Sequence, residues 1–183
     1  IDTLKYMLYD VHKLEDLLDR ERFVDHDKES LDMFLESTKD FADRELFPYI
    51  KEMDEKPAYH KDGKVFVHSQ VETMMKKGGE LGFISASFDY DIGGMQIPLM
   101  AHTAATYILD AANNHLPGYA GLTQGAAELI IHFASKDLLE TFVPNMLSGK
   151  WGGTMCLTEP QAGSSLSDIV TKAKPTQNGY YNI

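Results

Sequence analysis

The spacing of apolar residues changes at Gly149, and this change limits the folds that the chain can adopt. Before Gly149, apolar side chains recur every three or four residues, as on one face of an α-helix. After it, short apolar runs are separated by Pro, Gly and Ser, as between β-strands. We therefore expect a helical domain over residues 1–149 and the beginning of a β domain over residues 150–183.

Six helices are predicted before Gly149. Their expected ranges are 4–18, 31–47 with a short continuation past Pro48 to about residue 54, 69–81, 98–112, 122–134 and 136–148. The segment from Lys56 to Phe66 and the segment from Ser85 to Gly94 are expected to be loops.

Residues at the helix ends support these ranges. Ser69 and Glu72 have the spacing of a capping box, and Gly82 suits the position just past a helix end. Pro98 suits the first position of the next helix, and Ser135 suits an N-cap. Pro144 is expected to interrupt the last helix, because proline lacks an amide hydrogen.

The predicted helix from Leu122 to Ala134 is apolar on every side, which is typical of the middle of a helical bundle. Beyond Gly149, strands are predicted at Trp151–Thr158, Asp168–Ala173 and Gly179–Ile183. Three strands would be a marginal unit by themselves. We therefore expect the chain to be a piece of a longer protein.

The run from Met155 to Ser165 is the most informative motif. It reads as an apolar strand broken by a turn at Pro160, followed by Gly163 and small hydroxyl residues. Exposed main-chain amides and hydroxyls of this kind can grip the edge of an anionic or carbonyl-rich cofactor. Spacing alone equally allows a strand, a proline turn and a glycine loop that bind nothing.

The same run resembles the signature that opens the middle domain of acyl-CoA dehydrogenases. The resemblance rests on Leu157-Thr158-Glu159-Pro160, Ala162-Gly163-Ser164, Thr171, Ala173, Gly179 and Tyr181. Two weaker stretches also resemble the family, one from Phe41 through Pro48 to Asp54 and one from Phe142 to Gly149. The resemblance implies a mainly α fold, an orthogonal bundle of about six helices followed by the first strands of a truncated, barrel-like β domain.

The resemblance also implies a chemistry. Members of this family use FAD to remove the α-proton and the β-hydride of an acyl-CoA thioester, which gives the 2-enoyl-CoA. Electrons usually pass to an electron-transfer flavoprotein, and we expect a homodimer or homotetramer. The expected compartment is the cytoplasm of a bacterium or the mitochondrial matrix of a eukaryote.

Five residues match positions that contact the cofactor in the family: Met155, Leu157, Thr158, Gly163 and Ser164. Main-chain amides near Leu157 and Thr158, with the Thr158 hydroxyl, would meet the pyrimidine edge of the flavin. Gly163 would let the backbone approach the cofactor, and Ser164 would bond the pyrophosphate and lie near the CoA substrate. The catalytic Glu of the family is expected beyond Ile183, so no base is assigned here.

This chain departs from the family pattern at Ser165, where an Asp is common. Gln161, with Thr154 and Met155 ahead of it, resembles a subgroup that includes methylthiopropionyl-CoA-type dehydrogenases. The resemblance further implies that this piece alone is inactive and binds FAD weakly or not at all.

Two alternatives remain at this point. Acyl-CoA oxidases and related flavin monooxygenases share the architecture, and the electron acceptor cannot be read from these residues. The second alternative is a non-enzymatic helical interaction module whose β tail serves only packing.

Composition excludes several other classes of protein. A formal net charge of −11 argues against nucleic-acid binding, which needs clustered Lys and Arg. The single cysteine, Cys156, allows no disulfide and no cysteine-based metal site, and it is expected to be an inert core residue. The seven histidines lack a ligand spacing, no apolar run is long enough to span a membrane, and Glu159 is expected to hold the turn or face solvent.

Overall fold

The computed structural model describes all residues from Ile1 to Ile183. Its eight α-helices are α1 (Asp2–Tyr6), α2 (Glu15–Leu18), α3 (Lys28–Phe41), α4 (Ile50–Glu55), α5 (Gln70–Glu80), α6 (Leu99–Asn113), α7 (Pro117–Phe133) and α8 (Lys136–Leu147). Its strands are β1 (Tyr59–Lys61), β2 (Lys64–Phe66), β3 (Lys174–Pro175) and β4 (Tyr181–Asn182). The predicted mainly α class is therefore confirmed. None of the helices combines the length and the apolar character that a membrane-crossing helix needs.

The prediction of one helix over residues 4–18 is wrong. α1 continues as a π-helical turn from Met7 to Val11 and ends, and the backbone of Lys13 then enters the left-handed region with φ of 51°. This reversal allows Leu14 to become completely buried before α2 begins. Of the predicted apolar stripe, Leu8 and Leu14 are buried, whereas Met7 and Val11 are exposed.

The helix predicted from Leu31 is confirmed, and its start is set by side chains. Asp27 accepts a hydrogen bond from the Ser30 amide, and the Ser30 hydroxyl contacts the Asp27 amide in return, so a capping box begins α3. A π-helical turn follows to Leu46, and Pro48 lies in the 3₁₀ turn before α4. The predicted continuation past Pro48 is thus confirmed, and it ends at Glu55.

The segment predicted as a loop at residues 56–66 is instead a β-hairpin. β1 pairs antiparallel with β2, and Tyr59 lies opposite Phe66. Asp62 and Gly63 form the two-residue turn with φ values of 51° and 74°. Positive φ at both positions matches the twist of the flanking strands, which is why an Asp-Gly pair closes a hairpin here.

The capping box predicted at Ser69 and Glu72 does not form. Ser69 is the N-cap of α5, but its backbone is helical, with φ of −57° and ψ of −25°, and its side chain makes no cap hydrogen bond. The amide of Gln70 bonds to the His68 ring instead, at 3.1 Å. At the other end the prediction is confirmed, because Gly82 follows α5 with φ of 79°.

The last two helices differ from their predicted form. α7 begins at Pro117 rather than near Leu122, because proline suits the first helical position. α8 continues through Pro144 to Leu147 without interruption. Pro144 is exposed, so the carbonyl left without a partner one turn earlier can bond to water.

The prediction that α7 lies in the middle of the bundle is also wrong. Only one side of the helix is buried, with Pro117, Ala120, Thr123 and Ala127. Three large apolar residues of the other side, Leu122, Leu129 and Phe133, are 46%, 61% and 82% exposed. The prediction that Pro98 is the first residue of its helix is wrong by one position, because Pro98 is the N-cap of α6 and Leu99 is the first helical residue.

Residues 150–183 contain little regular structure. The strands predicted at Trp151–Thr158 and Asp168–Ala173 are absent, because neither segment has a strand to pair with. Residues 152–158 have no regular structure and a 3₁₀ turn spans Leu166–Asp168, whereas the third predicted strand is represented by β4.

A single core of buried apolar side chains joins the helices. It includes Leu31 and Leu35 of α3, Met74 of α5 and Leu116 just before α7. Of residues 150–183, Ala162 alone is buried. The helical part thus forms a rigid base from which the last 34 residues extend.

Candidate functional site

Residues Thr154–Thr158, here called the open segment, have an unpaired main chain. None of their five amide groups has a hydrogen-bond partner, and none of their carbonyl groups accepts a hydrogen bond. All five residues are exposed. Unpaired main-chain groups of this kind are donors and acceptors available to another strand or to a ligand.

Two hydrogen bonds attach the open segment to the helical part. The amide of Trp151 donates to the carbonyl of Asn145 at 3.0 Å, and the amide of Gly153 donates to the Thr123 hydroxyl at 3.0 Å. The rings of Phe142 and Trp151 also meet edge to face, with centroids 5.6 Å apart. The open segment therefore leaves the bundle at a defined point between α7 and α8.

At its far end, the open segment is held by the carboxylate of Glu159. Its oxygens accept hydrogen bonds from the amides of Val170 and Thr171, at 2.9 and 2.8 Å, and from the Thr171 hydroxyl. The side-chain amide of Gln161 donates to it as well. Donors favour the charged form, and the Thr171 hydroxyl contributes most, so the pKa of Glu159 falls to about 2.

This geometry confirms the prediction that Glu159 holds the turn and argues against its use as a base. A carboxylate with so low a pKa is a poor proton acceptor near neutral pH. The turn itself is closed by two main-chain hydrogen bonds between Glu159 and Ala162, of 2.9 and 3.1 Å.

The structure places the five predicted cofactor residues on this exposed stretch. Met155, Leu157 and Thr158 lie in the open segment, and Gly163 and Ser164 follow the turn. No atom lies within 4 Å of the position that a Cβ of Gly163 would take, so the chain itself does not require glycine there. Whether these residues contact a cofactor stays a prediction.

The donors on this stretch fit the edge of a flavin. Consecutive free amides at Leu157 and Thr158 can face carbonyl oxygens and ring nitrogens, and open space beside Gly163 leaves room for a close approach. The Ser164 hydroxyl makes no hydrogen bond within the chain and is exposed. Free donors of this kind can stabilise negative charge on a bound group.

One prediction about this stretch is wrong. Cys156 was expected in the core, yet it is exposed, since the open segment packs against nothing on that side. No group of His, Cys, Asp and Glu is arranged to hold a metal ion.

A polar cluster that sequence reasoning missed lies between α6 and α7. The side-chain amide of Gln124 donates to the carbonyls of Phe83 and Ile84, at 3.2 and 2.9 Å, and lies 3.2 Å from Nε2 of His102. The other ring nitrogen of His102 is 3.1 Å from the Ser87 hydroxyl. Burial of the ring lowers the pKa of His102. Because the Gln124 amide is a donor, Nε2 must accept and Nδ1 must carry the hydrogen.

The comparisons with known proteins decide the family. A family model described as "Acyl-CoA dehydrogenase, N-terminal domain" matches residues 28–150, about two thirds of the chain. The chain belongs to the acyl-CoA dehydrogenase family. The matched range covers α3 to α8 and stops just before the open segment.

Individual relatives agree with the family. The chain is 31% identical over 149 residues to the 3-methylmercaptopropionyl-CoA dehydrogenase of Ruegeria pomeroyi, covering 81% of this chain and 25% of the relative. Among solved structures, butyryl-CoA dehydrogenase from Megasphaera elsdenii aligns with a TM-score of 0.68 at 24% identity, covering 85% of this chain and 39% of that chain.

A further structure has the same fold. The acyl-CoA dehydrogenase complexed with FAD from Bacillus anthracis aligns with a TM-score of 0.68 at 20% identity, over 85% of this chain and 25% of that chain. At these identities the structural matches establish the fold alone. In all three comparisons this chain spans well under half of the protein that it matches.

Proposed function

We propose that this chain is the N-terminal part of an FAD-dependent acyl-CoA dehydrogenase. The whole protein would remove the α-proton and the β-hydride of an acyl-CoA thioester to form the 2-enoyl-CoA. The observation that carries the proposal is the open segment, whose free amides are held between the Gly153 anchor and the Glu159 turn. Family membership and the FAD complex of the Bacillus anthracis relative support it.

In this proposal, residues of the chain orient the cofactor. The amides of Leu157 and Thr158 and the Thr158 hydroxyl would donate to the pyrimidine edge, and Met155 would complete that wall. Negative charge gathers on this edge during reduction, and fixed donors stabilise it without rearranging. Gly163 would admit the backbone close to the cofactor, while Ser164 would bond the pyrophosphate and face the CoA substrate. FAD, when bound, supplies the acceptor of the hydride.

The general base is assigned to residues beyond Ile183. Within this chain the carboxylate nearest the open segment is that of Glu159, and its hydrogen bonds hold it ionised and occupied. The chain alone would therefore lack activity and hold FAD weakly or not at all.

The finer features of the proposal follow from the family and the relatives. Electrons would pass to an electron-transfer flavoprotein, and the whole protein would be a homodimer or homotetramer in the bacterial cytoplasm or the mitochondrial matrix. The name of the Ruegeria pomeroyi relative agrees with the subgroup indicated by Thr154, Met155 and Gln161, so a methylthiopropionyl-CoA-type thioester is the first substrate to examine.

The test compares the chain of residues 1–183 with the protein encoded by its complete reading frame. We expect the complete protein to purify with bound FAD and to lose its visible flavin absorbance when an acyl-CoA is added without air. The chain alone should purify without stoichiometric flavin. A complete protein whose flavin is reduced by no acyl-CoA, from short straight chains to methylthiopropionyl-CoA, would contradict the proposed reaction.

A further inference from the structure

Thr123 is a buried polar residue that connects the helical part to the open segment. It lies on the buried side of α7 with no exposed surface. Its hydrogen bond with Gly153 is the only one between a side chain of residues 1–149 and any group of residues 150–183. The only other hydrogen bond between the two parts joins the main chains of Trp151 and Asn145.

The Thr123 hydroxyl has a fixed orientation. It donates to the carbonyl of Tyr119, one turn earlier in α7, at 2.7 Å. Because that bond uses the hydroxyl hydrogen, the oxygen presents a lone pair to the Gly153 amide at 3.0 Å. The direction of the Gly153 amide is thus set by a helix that is part of the rigid base.

Gly153 approaches α7 more closely than any other residue type could. A Cβ on Gly153 would lie 2.6 Å from Cβ of Ala126 and 2.9 Å from Cε of Met146. Two residues later, Met155 contacts α7 again, with its Cε 3.3 Å from the position that a Cβ of Gly125 would take. One turn of α7 therefore directs the start of the open segment.

The amides assigned to the flavin edge, those of Leu157 and Thr158, lie four and five residues beyond this anchor. An extended chain rises about 3.3 Å per residue, so Leu157 is within about 13 Å of Gly153 along the chain. No hydrogen bond intervenes between the Gly153 anchor and the Glu159 turn. The hydrogen bond at Gly153 and the contact of Met155 with α7 therefore set where the part of the chain that carries Leu157 and Thr158 begins.

We propose that Thr123 is a positioning residue for the cofactor edge. Its hydroxyl, held by α7, sets the direction in which the amides of the open segment point and so determines how tightly they hold the flavin. The flavin part of this inference rests on the proposed function, whereas the anchoring of Gly153 does not.

The first experiment measures amide hydrogen exchange over residues 150–158 in the chain of residues 1–183. In Thr123→Val, which keeps the shape but loses the hydroxyl, exchange at Gly153 should rise about tenfold or more, because the amide loses its only partner. In the matched control Thr123→Ser, which keeps the hydroxyl, it should stay within about threefold of the parent. Amides of α3 report whether either substitution loosens the whole fold.

Gly153→Ala provides a second route to the same effect. The new Cβ would meet Ala126 and push the open segment from α7 while leaving Thr123 unchanged. Exchange at residue 153 should rise as it does in Thr123→Val. Unchanged exchange in both variants, with a folded helical part, would overturn the anchoring.

The second experiment measures FAD binding by the protein encoded by the complete reading frame. We expect the FAD dissociation constant to rise about tenfold in Thr123→Val and in Gly153→Ala and to be restored in Thr123→Ser. Faster exchange at Gly153 with unchanged FAD affinity would overturn the positioning role. Absence of FAD from the unsubstituted protein would instead overturn the proposed function and leave the exchange result standing.

Discussion

His102 illustrates how a single hydrogen-bond donor determines the chemistry of a cluster. The Gln124 side-chain nitrogen faces the two carbonyls of Phe83 and Ile84 and lies 3.2 Å from Nε2 of His102, so a hydrogen on Nε2 would point at another donor. The hydrogen of the neutral ring is then on Nδ1, directed at Ser87. In this tautomer the ring cannot take a proton from the Ser87 hydroxyl through Nδ1, which excludes the pair as a nucleophile and its base.

The same geometry predicts a pH dependence of stability. Burial lowers the pKa of His102 in the folded protein below the value of about 6.5 in an unfolded chain. Between these two values the unfolded state binds more protons, so the stability contributed by neutral His102 is complete above pH ~6.5 and falls as pH decreases. The free energy of unfolding should decrease by up to ~1.4 kcal/mol per pH unit from this residue.

Urea unfolding of the chain at pH values from 5 to about 8 would measure this change in the free energy of unfolding. The control is His102→Gln, which keeps an acceptor near Gln124 but does not titrate in this range. Subtracting the two curves removes the contributions of the other six histidines. If the free energies of unfolding of the parent chain and of His102→Gln change equally with pH below ~6.5, His102 is not the group responsible.

At the level of single residues, the sequence predicted roles that depend on neighbours in the chain and missed those that depend on the fold. Glu159 was expected to hold its turn, and its partners at residues 170 and 171 lie close in sequence. The pairing of Thr123 with Gly153 joins residues 30 positions apart, and that of Gln124 with Phe83 joins residues 41 apart. Neither leaves a local pattern in the sequence.

Among the elements, the β1–β2 hairpin contributes no buried residue to the packed core. All residues from Ala58 to Val67 are exposed, and the stacked rings of Tyr59 and Phe66, 5.0 Å apart, contact each other across the hairpin. The hairpin was missed in the sequence because its strands are only three residues long. The Asp62-Gly63 pair was the signal that could have indicated it.

Replacing residues 58–67 by a short Gly-Ser linker should therefore leave the helical part nearly as stable as before. We expect the midpoint of thermal unfolding to change by less than about 3 °C, since little buried surface is lost. Circular dichroism at a helical band measures it. Leu35→Ala in the core is the comparison and should cost ~2–5 kcal/mol, because Leu35 is completely buried. A loss of similar size on removing the hairpin would show that it supports the core.

Elements whose burial depends on other parts of the chain were predicted least well. The apolar composition of α7 indicated burial on all sides, but the helix is one-sided, with Phe133 82% exposed. The apolar run from Trp151 to Thr158 indicated a strand, but a strand requires a partner, and none lies beside it. Local hydrophobicity indicates that burial of a surface would be favourable. It does not indicate which other surface covers it.

In the whole molecule, the change in pattern at Gly149 corresponds to a change in burial. Residues 1–149 contain all but one of the buried residues. Periodicity predicted the helical class because each helix of the core presents an apolar stripe to it. Periodicity could not predict the arrangement of residues 150–183, because these residues pack little against the helical part. Only two hydrogen bonds attach them to it, and neither leaves a periodic pattern in the sequence.

This division predicts the result of limited proteolysis. Lys150 and Lys172 are exposed and lie where few contacts oppose local opening, so trypsin should remove the last residues first. The remaining fragment, ending at Lys150, should unfold cooperatively within about 3 °C of the intact chain, because only Ala162 of the removed part is buried. Mass spectrometry identifies the fragment, and calorimetry compares the two transitions. The exposed hairpin and its flanks, residues 56–67, can be cut in either case. Rapid cleavage within the helices α3 to α8 once residue 150 is cut would mean that residues 151–183 stabilise the bundle, and the boundary at residue 149 would then not separate two domains.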